Sequence, residues 1–177
     1  MRTAFRTILT ATIVAVPVAG FASNWNDQPV APADHQEATA SSYSEDGRHF
    51  TAEDTPTFSV AEDGTVDWPT FSGFRRYHAE CHVCHGPDGE GSTYAPKIKN
   101  SAVNMGYYDF YDVVVNGRKS GNSVMPHFGD NPNVMCYLDD IYSYLAARGM
   151  EALPRGRPAK KEKKSEAFKE DENACMG

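Results

Sequence analysis

Apolar residues recur at helical spacing in two stretches of the chain. In the first, aromatic and apolar residues fall at every third or fourth position: Phe71, Phe74, Tyr77 and Cys81. Asp67 followed by Trp68-Pro69 is a typical helix start, because an aspartate side chain caps free amide groups and proline fits the first turn. The sequence therefore predicts a helix that begins after Asp67 and ends at Cys81.

The second stretch carries a single apolar stripe, formed by Val134, Leu138, Ile141, Tyr142 and Leu145. Asn131 is its predicted N-cap and Pro132 its first helical residue. The helix is expected to run without a break to about Arg148 and to stop at Gly149. Its stripe should pack across the first helix.

A shorter helix is predicted from Tyr108 to Asn116, where Gly117 ends it. Together the three helices indicate an all-α domain over residues 66–152. A domain of about 85 residues is small for an ordinary hydrophobic core, so a bound apolar group would help to complete it.

The segments on either side of this domain are strongly charged, and the one before it has no helical apolar period. Residues 23–65 are predicted to be an irregular acidic arm, since the stretch from Ser23 to Asp67 has ten acidic residues and one basic residue. Residues 153–177 form a charged tail, basic at 155–164 and acidic at 170–172. Its charge run is predicted to be a solvated loop, and a role in docking is the alternative. The whole chain has 24 acidic and 17 basic residues, a net charge of −7, which argues against a nucleic-acid partner.

Residues 1–22 have the pattern of a secretory signal peptide. Two arginines precede an apolar run from Ile8 to Val18, and small residues lead to a predicted cut after Ala22. The run is too short for a comfortable membrane span, although an uncleaved anchor is the alternative. The pattern predicts export to the periplasm, with no membrane span after cleavage, in a compartment where disulfides persist.

Export is relevant to the motif Cys81-His82-Val83-Cys84-His85, because c-type haem is attached outside the bacterial cytoplasm. The pattern C-x-x-C-H is the attachment signature of a c-type haem. Each cysteine can form a thioether with a haem vinyl group, and His85 is then placed to bind the iron. His78 and His82 are predicted to lie at the surface. The alternative is a zinc site that uses all four cysteines of the chain, but a second close cysteine pair is missing.

The second iron ligand is predicted to be Met125, which lies in a glycine-flanked loop and is followed by Pro126. Met105 and Met135 are the alternatives, because most methionines only fill a core. In a c-type fold the carbonyl of Pro96 can accept a hydrogen bond from the Nδ1–H of His85, which fixes the ring and tunes the iron. The other interpretation is that Pro96 only ends a turn.

The two remaining cysteines should pair in an oxidising compartment. At 100° per residue, Cys136 points away from the apolar stripe of the final helix, so it can reach a partner outside the core. We expect a disulfide from Cys136 to Cys175 that fastens the tail to this helix.

The motif residues resemble those of class I c-type cytochromes: Gly73-x-x-x-Tyr77-x-x-x-Cys81-x-x-Cys84-His85-Gly86, then Ala95-Pro96, then Met125-Pro126-x-Phe128. The resemblance covers about half of the chain, and Ile98 stands where the family often has leucine. It implies three main helices around one covalent haem c and a role in electron transfer. With His85 and Met125 both on the iron, no position stays open, which argues against an enzyme.

The layout of four cysteines with an acidic arm is similar to that of the c-type cytochromes of methanol metabolism. This narrower resemblance implies a quinoprotein (PQQ) methanol or alcohol dehydrogenase as electron donor, and a downstream cytochrome or terminal oxidase as acceptor. Two other interpretations stay open at this point. One is a haem enzyme or gas sensor with a displaceable sixth ligand, and the other is the cysteine–zinc module.

Overall fold

The structure is a computed structural model that describes residues 39–177. The predicted signal peptide and residues 23–38 of the arm lie outside the described residues. The helices are α1 (Trp68–Glu80), α2 (His82–His85), α3 (Ile98–Asn116), α4 (Pro132–Met135), α5 (Leu138–Gly149) and α6 (Glu166–Met176). The short strands are β1 (Tyr43–Glu45), β2 (Arg48–Phe50), β3 (Pro56–Thr57), β4 (Thr65–Val66), β5 (Arg118–Ser120), β6 (Ser123–Met125) and β7 (Lys160–Lys161). The predicted all-α class is confirmed.

Helix α1 starts where the sequence predicted. The carboxylate of Asp67 accepts hydrogen bonds from the amide of Thr70 at 2.7 Å and from the Thr70 hydroxyl at 2.8 Å. It also accepts one from the amide of Ser59 at 2.5 Å. Asp67 therefore caps the helix and at the same time fastens the arm to the helix start.

Helices α1 and α5 cross at Gly73. A Cβ atom at this position would lie 1.8 Å from the carbonyl oxygen of Asp140, so only glycine permits the two backbones to come so close. The predicted stripe of the final helix is buried around this crossing: Val134, Leu138, Ile141, Tyr142 and Leu145. Phe71 and Tyr77 of α1 complete the same core.

The final helix differs from the prediction because it is broken into α4 and α5. The break falls at Cys136 and Tyr137, and Tyr137 leaves the helical region with φ −134° and ψ 18°. The ring of Tyr137 lies 3.6 Å from the guanidinium carbon of Arg76, and its hydroxyl donates to Glu172 at 2.6 Å. These tertiary contacts accompany the break, which the local sequence does not signal.

Helix α3 is ten residues longer at its start than predicted, and it is kinked at Gly106 (φ 77°, ψ 175°). Its first half packs on the end of α5. A Cβ atom at Gly149 would lie 2.4 Å from the carbonyl oxygen of Lys99. Gly149 therefore ends α5, as predicted, and also permits the close approach of α3 to α5.

The described part of the arm and the tail are more ordered than predicted. Strands β1, β2 and β3 form an antiparallel sheet, and β4 of the arm pairs in parallel with β7 of the tail. The guanidinium of Arg48 contacts Asp140 of α5 at 3.1 Å and Asp171 of α6 at 3.5 Å, and it lies 4.5 Å from the ring centre of Phe168. The arm and the tail thus hold each other on the outer side of α1 and α5. Within residues 39–177, no helix has the length and apolar character needed to cross a membrane.

Candidate haem site

The haem-attachment motif forms one tight turn immediately after α1. The amides of Cys84 and His85 both donate to the carbonyl oxygen of Cys81, at 3.3 and 3.1 Å. Both cysteines are free thiols, with Cys84 exposed and Cys81 half-buried. Burial raises the pKa of the Cys81 thiol to about 12. The two thiols and the imidazole of His85 are therefore presented by a single turn of backbone.

His85 is buried, and its ring is fixed by one hydrogen bond. Its Nδ1 lies 3.0 Å from the carbonyl oxygen of Pro96. A carbonyl oxygen can only accept, so Nδ1 carries the proton and Nε2 keeps its lone pair. Burial lowers the pKa of His85, and the bond to Pro96 opposes this only in part. The neutral imidazole with a free Nε2 lone pair is the form that binds iron.

The loop behind His85 is held by Tyr77, for which the sequence predicted a place in the first helix but no hydrogen-bonding role. The hydroxyl of Tyr77 donates to the carbonyl oxygen of Gly86 at 2.5 Å and accepts from the amide of Gly89 at 3.1 Å. The amide of Gly91 donates to the carbonyl oxygen of His85 at 2.8 Å. A Cβ atom at Gly86 would lie 2.2 Å from the Gly91 oxygen, so the loop closes only with glycine there.

Asp88 connects this loop to α5 and to the start of the tail. It is buried and accepts hydrogen bonds from the Tyr144 hydroxyl at 3.2 Å, the Gly156 amide at 3.1 Å and the Arg155 Nε at 3.4 Å. Burial by itself would raise the pKa of Asp88, but these donors outweigh it and lower the pKa. The sequence predicted only a turn here, since the partners lie more than 50 residues away.

His78 and His82, which were predicted to lie at the surface, are only partly exposed. The Nδ1 of His78 lies 2.8 Å from the carbonyl oxygen of Phe74, and its Nε2 accepts from the amide of Asp88 at 3.4 Å. Both ring nitrogens of His78 are therefore used within the protein. The ring of His78 stacks on that of His82, with 5.8 Å between the ring centres.

Met125 is the last residue of β6, in an antiparallel hairpin where it stands opposite Arg118. The sequence predicted a loop at this place. Met125 is partly buried and packs against the core, as do Met105 in α3 and Met135 in α4. Only Met125 of these three lies on a connection between helices, where the backbone can be shaped to present the sulfur.

The predicted disulfide between Cys136 and Cys175 is confirmed, and their Cα atoms are 5.8 Å apart. It uses two of the four thiols that a cysteine–zinc module would need, so that interpretation is wrong. Within residues 39–177, no group of three or more His, Cys, Asp or Glu side chains could hold a metal ion.

Comparison with known proteins agrees with this site. The family model described as cytochrome c oxidase, cbb3-type, subunit III matches residues 70–145. Cytochrome c-555 of Methylococcus capsulatus is 37% identical over 102 residues, which cover 57% of this chain and 76% of that protein. The chain belongs to the c-type cytochrome family.

Two further relatives cover more of this cytochrome. Cytochrome c-553I of Paracoccus denitrificans is 57% identical over 155 residues, covering 85% of this chain. The match spans 65% of the length of that relative. The crystal structure of the c-type cytochrome XoxG from Methylobacterium extorquens AM1 matches with a TM-score of 0.77 and 51% identity, covering 81% of this chain and 91% of that one.

As a member of this family, the cytochrome carries covalently bound haem c. The residues fit the group, because two free thiols and a buried, neutral imidazole stand on one turn. Large apolar side chains are also exposed on the segments next to the site, namely Val83, Tyr94 and Val124. Exposed apolar side chains beside an attachment site are typical of a surface where another molecule binds.

Proposed function

We propose that this cytochrome is a periplasmic carrier of single electrons. In this proposal a PQQ-dependent methanol or alcohol dehydrogenase reduces it, and a downstream cytochrome or terminal oxidase oxidises it. Cys81 and Cys84 would hold the haem, and His85 and Met125 would bind the iron. When bound, the haem takes up and releases one electron at a time.

The fixed imidazole of His85 is the observation that carries the proposal. Its Nδ1–H is committed to Pro96 at 3.0 Å, so its Nε2 is aimed and available without any change of tautomer. With both His85 and Met125 as ligands, no iron position would stay open for a substrate, and the methionine would raise the potential relative to a second histidine. A carrier fits this ligand pair better than a haem enzyme or a gas sensor.

The donor class is supported by the tail. The narrower resemblance to cytochromes of methanol metabolism depends on a cysteine near the start of the final helix and another near the C-terminus, and these two residues do form a disulfide. The similarity to the cytochrome XoxG extends over 91% of that chain, so it includes more than the haem-binding core.

The proposed docking surface is made of Val83 and Tyr94 beside the exposed Cys84, together with the exposed Lys97 and, on the Met125 hairpin, the exposed Lys119. Val83 and Tyr94 are 73% and 80% exposed. Tyr94 is held beside the attachment turn, because the Ser92 hydroxyl donates to the Cys84 carbonyl and accepts from the Tyr94 amide at 3.0 Å. An apolar centre with basic neighbours suits a brief, salt-sensitive redox encounter.

Three other lysines contribute less to this surface. Lys99 also stands near the site in the sequence, but its ammonium group is 2.9 Å from Glu90 and its side chain is only 12% exposed. In the basic tail, Lys160 pairs with Asp63 at 2.9 Å, and Lys164 pairs with Glu172. Charges that are already paired attract a partner less strongly.

The test is stopped-flow reduction of the holoprotein by a purified PQQ-dependent methanol dehydrogenase. Lys97→Glu with Lys119→Glu should slow reduction several-fold at low salt, and the difference should disappear at high salt. Lys163→Glu with Lys169→Glu is the control, since it makes the same change of charge in the tail. A neutral hydroquinone should reduce all variants equally.

Two results would contradict the proposal in different ways. A larger effect of the tail variant would place docking on the tail. No reduction of the wild-type protein by the dehydrogenase, together with normal reduction by hydroquinone, would exclude this donor class and leave the electron-carrier role intact.

A further inference from the structure

The hairpin that carries Met125 follows α3 directly, with a single residue between the helix and strand β5. The residue at the junction is Gly117, whose backbone has φ 73° and ψ 178°. Residues other than glycine essentially never adopt this combination of backbone angles. Its amide donates to the carbonyl oxygen of Val113 at 2.9 Å, which closes the last turn of the helix.

The backbone of Met125 lies against Gly117. A Cβ atom at Gly117 would be 2.7 Å from the carbonyl oxygen of Met125 and 2.8 Å from the amide nitrogen of His127. Both neighbours are backbone atoms, so neither can turn aside as a flexible side chain would. Any side chain at this position must push the Met125 segment away from α3.

The residues after Met125 are fastened to the same helix end. The amide of Phe128 donates to the carbonyl oxygen of Val114 at 3.0 Å, and the amide of Gly129 donates to that of Val115 at 3.1 Å. These bonds satisfy two of the carbonyl groups that a helix end leaves free. Met125 is thus held by hairpin pairing on one side and by a helix cap on the other, with Gly117 between them.

We propose that Gly117 is the positioning residue for the methionine ligand. Its missing side chain lets the Met125 backbone approach the end of α3, and this approach sets how firmly the sulfur stays on the iron. The inference rests on the proposed role of Met125 as an iron ligand.

A simpler role for Gly117 would be to end the helix through its backbone conformation alone. Gly106 separates the two roles, because it lies in the same helix with nearly the same backbone angles, φ 77° and ψ 175°. A Cβ atom at Gly106 would meet nothing within 4 Å. The same is true at Gly121 in the hairpin turn, where φ is 58°. Alanine at Gly106 therefore reproduces the backbone strain without touching Met125.

The experiment compares Gly117→Ala, Gly106→Ala and Gly121→Ala as purified oxidised holoproteins. For each, we would record the long-wavelength absorption band of iron–methionine bonding, titrate imidazole as a competing ligand, and measure the potential. Gly117→Ala should weaken or abolish the band, lower the potential, and bind imidazole about tenfold more tightly. That increase corresponds to a tenfold larger fraction of molecules whose methionine has left the iron. The other two variants should stay within twofold of the wild-type imidazole affinity.

The results that would contradict the inference differ in whether they also contradict Met125 as the iron ligand. Equal effects in Gly117→Ala and Gly106→Ala would reduce the role of Gly117 to backbone strain and overturn the inference. A wild-type band and affinity in Gly117→Ala, with loss of the band in Met125→Ala, would overturn the inference while the ligand assignment stands. A band that survives Met125→Ala would refute the ligand assignment, and the inference with it.

A second measurement uses only the wild-type protein, so it does not depend on whether a variant folds. Hydrogen exchange of the wild-type amides of Gly117, Phe128 and Gly129 should accelerate when imidazole displaces the methionine, since the cap and the ligand share one segment. Unchanged protection at these three amides would show that the ligand moves independently of the helix end, against the proposal.

Discussion

Replacing both Cys136 and Cys175 by serine should lower the unfolding free energy by about 3–4 kcal/mol. The bond joins residues 39 positions apart. For a closed loop of that length, the chain-entropy model gives about 4 kcal/mol as an upper figure. At roughly 3 °C per kcal/mol for a chain of this size, the melting temperature should fall by about 10 °C.

The full effect requires that the tail stays in place without the disulfide, and its other contacts support this. Phe168 is only 2% exposed and packs edge-on against Trp68. The Tyr137 hydroxyl donates to Glu172 at 2.6 Å, and the Ser165 hydroxyl donates to the carbonyl oxygen of Asp46 at 2.7 Å. If the tail detached instead, the native state would also gain entropy and the loss of stability would be smaller.

Thermal unfolding followed by circular dichroism measures the effect. Wild-type protein treated with dithiothreitol is the matched control and should melt at the temperature of the double serine variant. Adding Phe168→Ala to the serine variant should cost less than the sum of the separate effects, because the two features hold one segment. The haem spectrum should not change.

Two results would refute this reasoning. One is the detection of two free thiols at Cys136 and Cys175 by mass spectrometry of the unreduced holoprotein. The other is a serine variant that melts within about 2 °C of the wild type, since the loop-closure argument predicts a much larger shift.

Three further predictions concern the iron, the loop behind it and the effect of pH. Met125→Ala should keep the covalent haem but lose the iron–methionine band and lower the potential; a retained band would point to Met105 or Met135. Tyr77→Phe should lower the unfolding free energy by about 1–3 kcal/mol in urea titrations, since it leaves buried backbone groups of Gly86 and Gly89 without their partner; an unchanged midpoint would contradict it. Burial raises the pKa of Asp140 from 3.8 to about 7, so the folded state keeps a proton that the unfolded chain loses, and this group makes stability fall as pH rises from about 4 to about 7. Asp140→Asn should flatten that fall, as urea midpoints at pH 5 and pH 7.5 would show, and an equally steep fall in the variant would contradict it.

The elements that the sequence predicted well are those whose signals are local. The Asp67 cap, the buried stripe of the final helix and the turn of Cys81 and Cys84 each depend on residues within a few positions of one another. The disulfide was also predictable, because chemistry and compartment left two cysteines with no other role. In each case the short-range pattern and the tertiary fold favour the same structure.

The missed elements are those that tertiary contacts hold in place. The first half of α3 is rich in polar residues and ends at a kink at Gly106, so its apolar period is weak. Helix α6 buries only Phe168, and one buried residue gives no periodicity to detect. The break at Tyr137 falls where neither glycine nor proline marks it, and contacts with Arg76 and Glu172 accompany it.

The same division applies to the site. His85 and Pro96 lie 11 residues apart, and a known chemical requirement connects them, so their hydrogen bond was predictable. Asp88 and Tyr144 are 56 residues apart, and nothing in either segment indicates that they meet. Gly117 was identified as a helix end, but its contact with Met125 depends on the hairpin that follows, which the sequence did not predict.

The two sides of the proposed haem site are therefore built differently. Behind His85, the loop is fastened by the buried side chains of Tyr77 from α1 and Tyr144 from α5, and its own buried Asp88 accepts from the backbone amide of Gly156 in the tail. On the Met125 side, the fastening is a short hairpin with an exposed Val124 and a few backbone bonds to one helix end. Opening the Met125 side breaks fewer buried contacts than opening the His85 side, so it requires less free energy. We expect ligand exchange at the iron to begin with Met125, and substitutions in residues 117–129 to change the potential while the histidine side stays as it is.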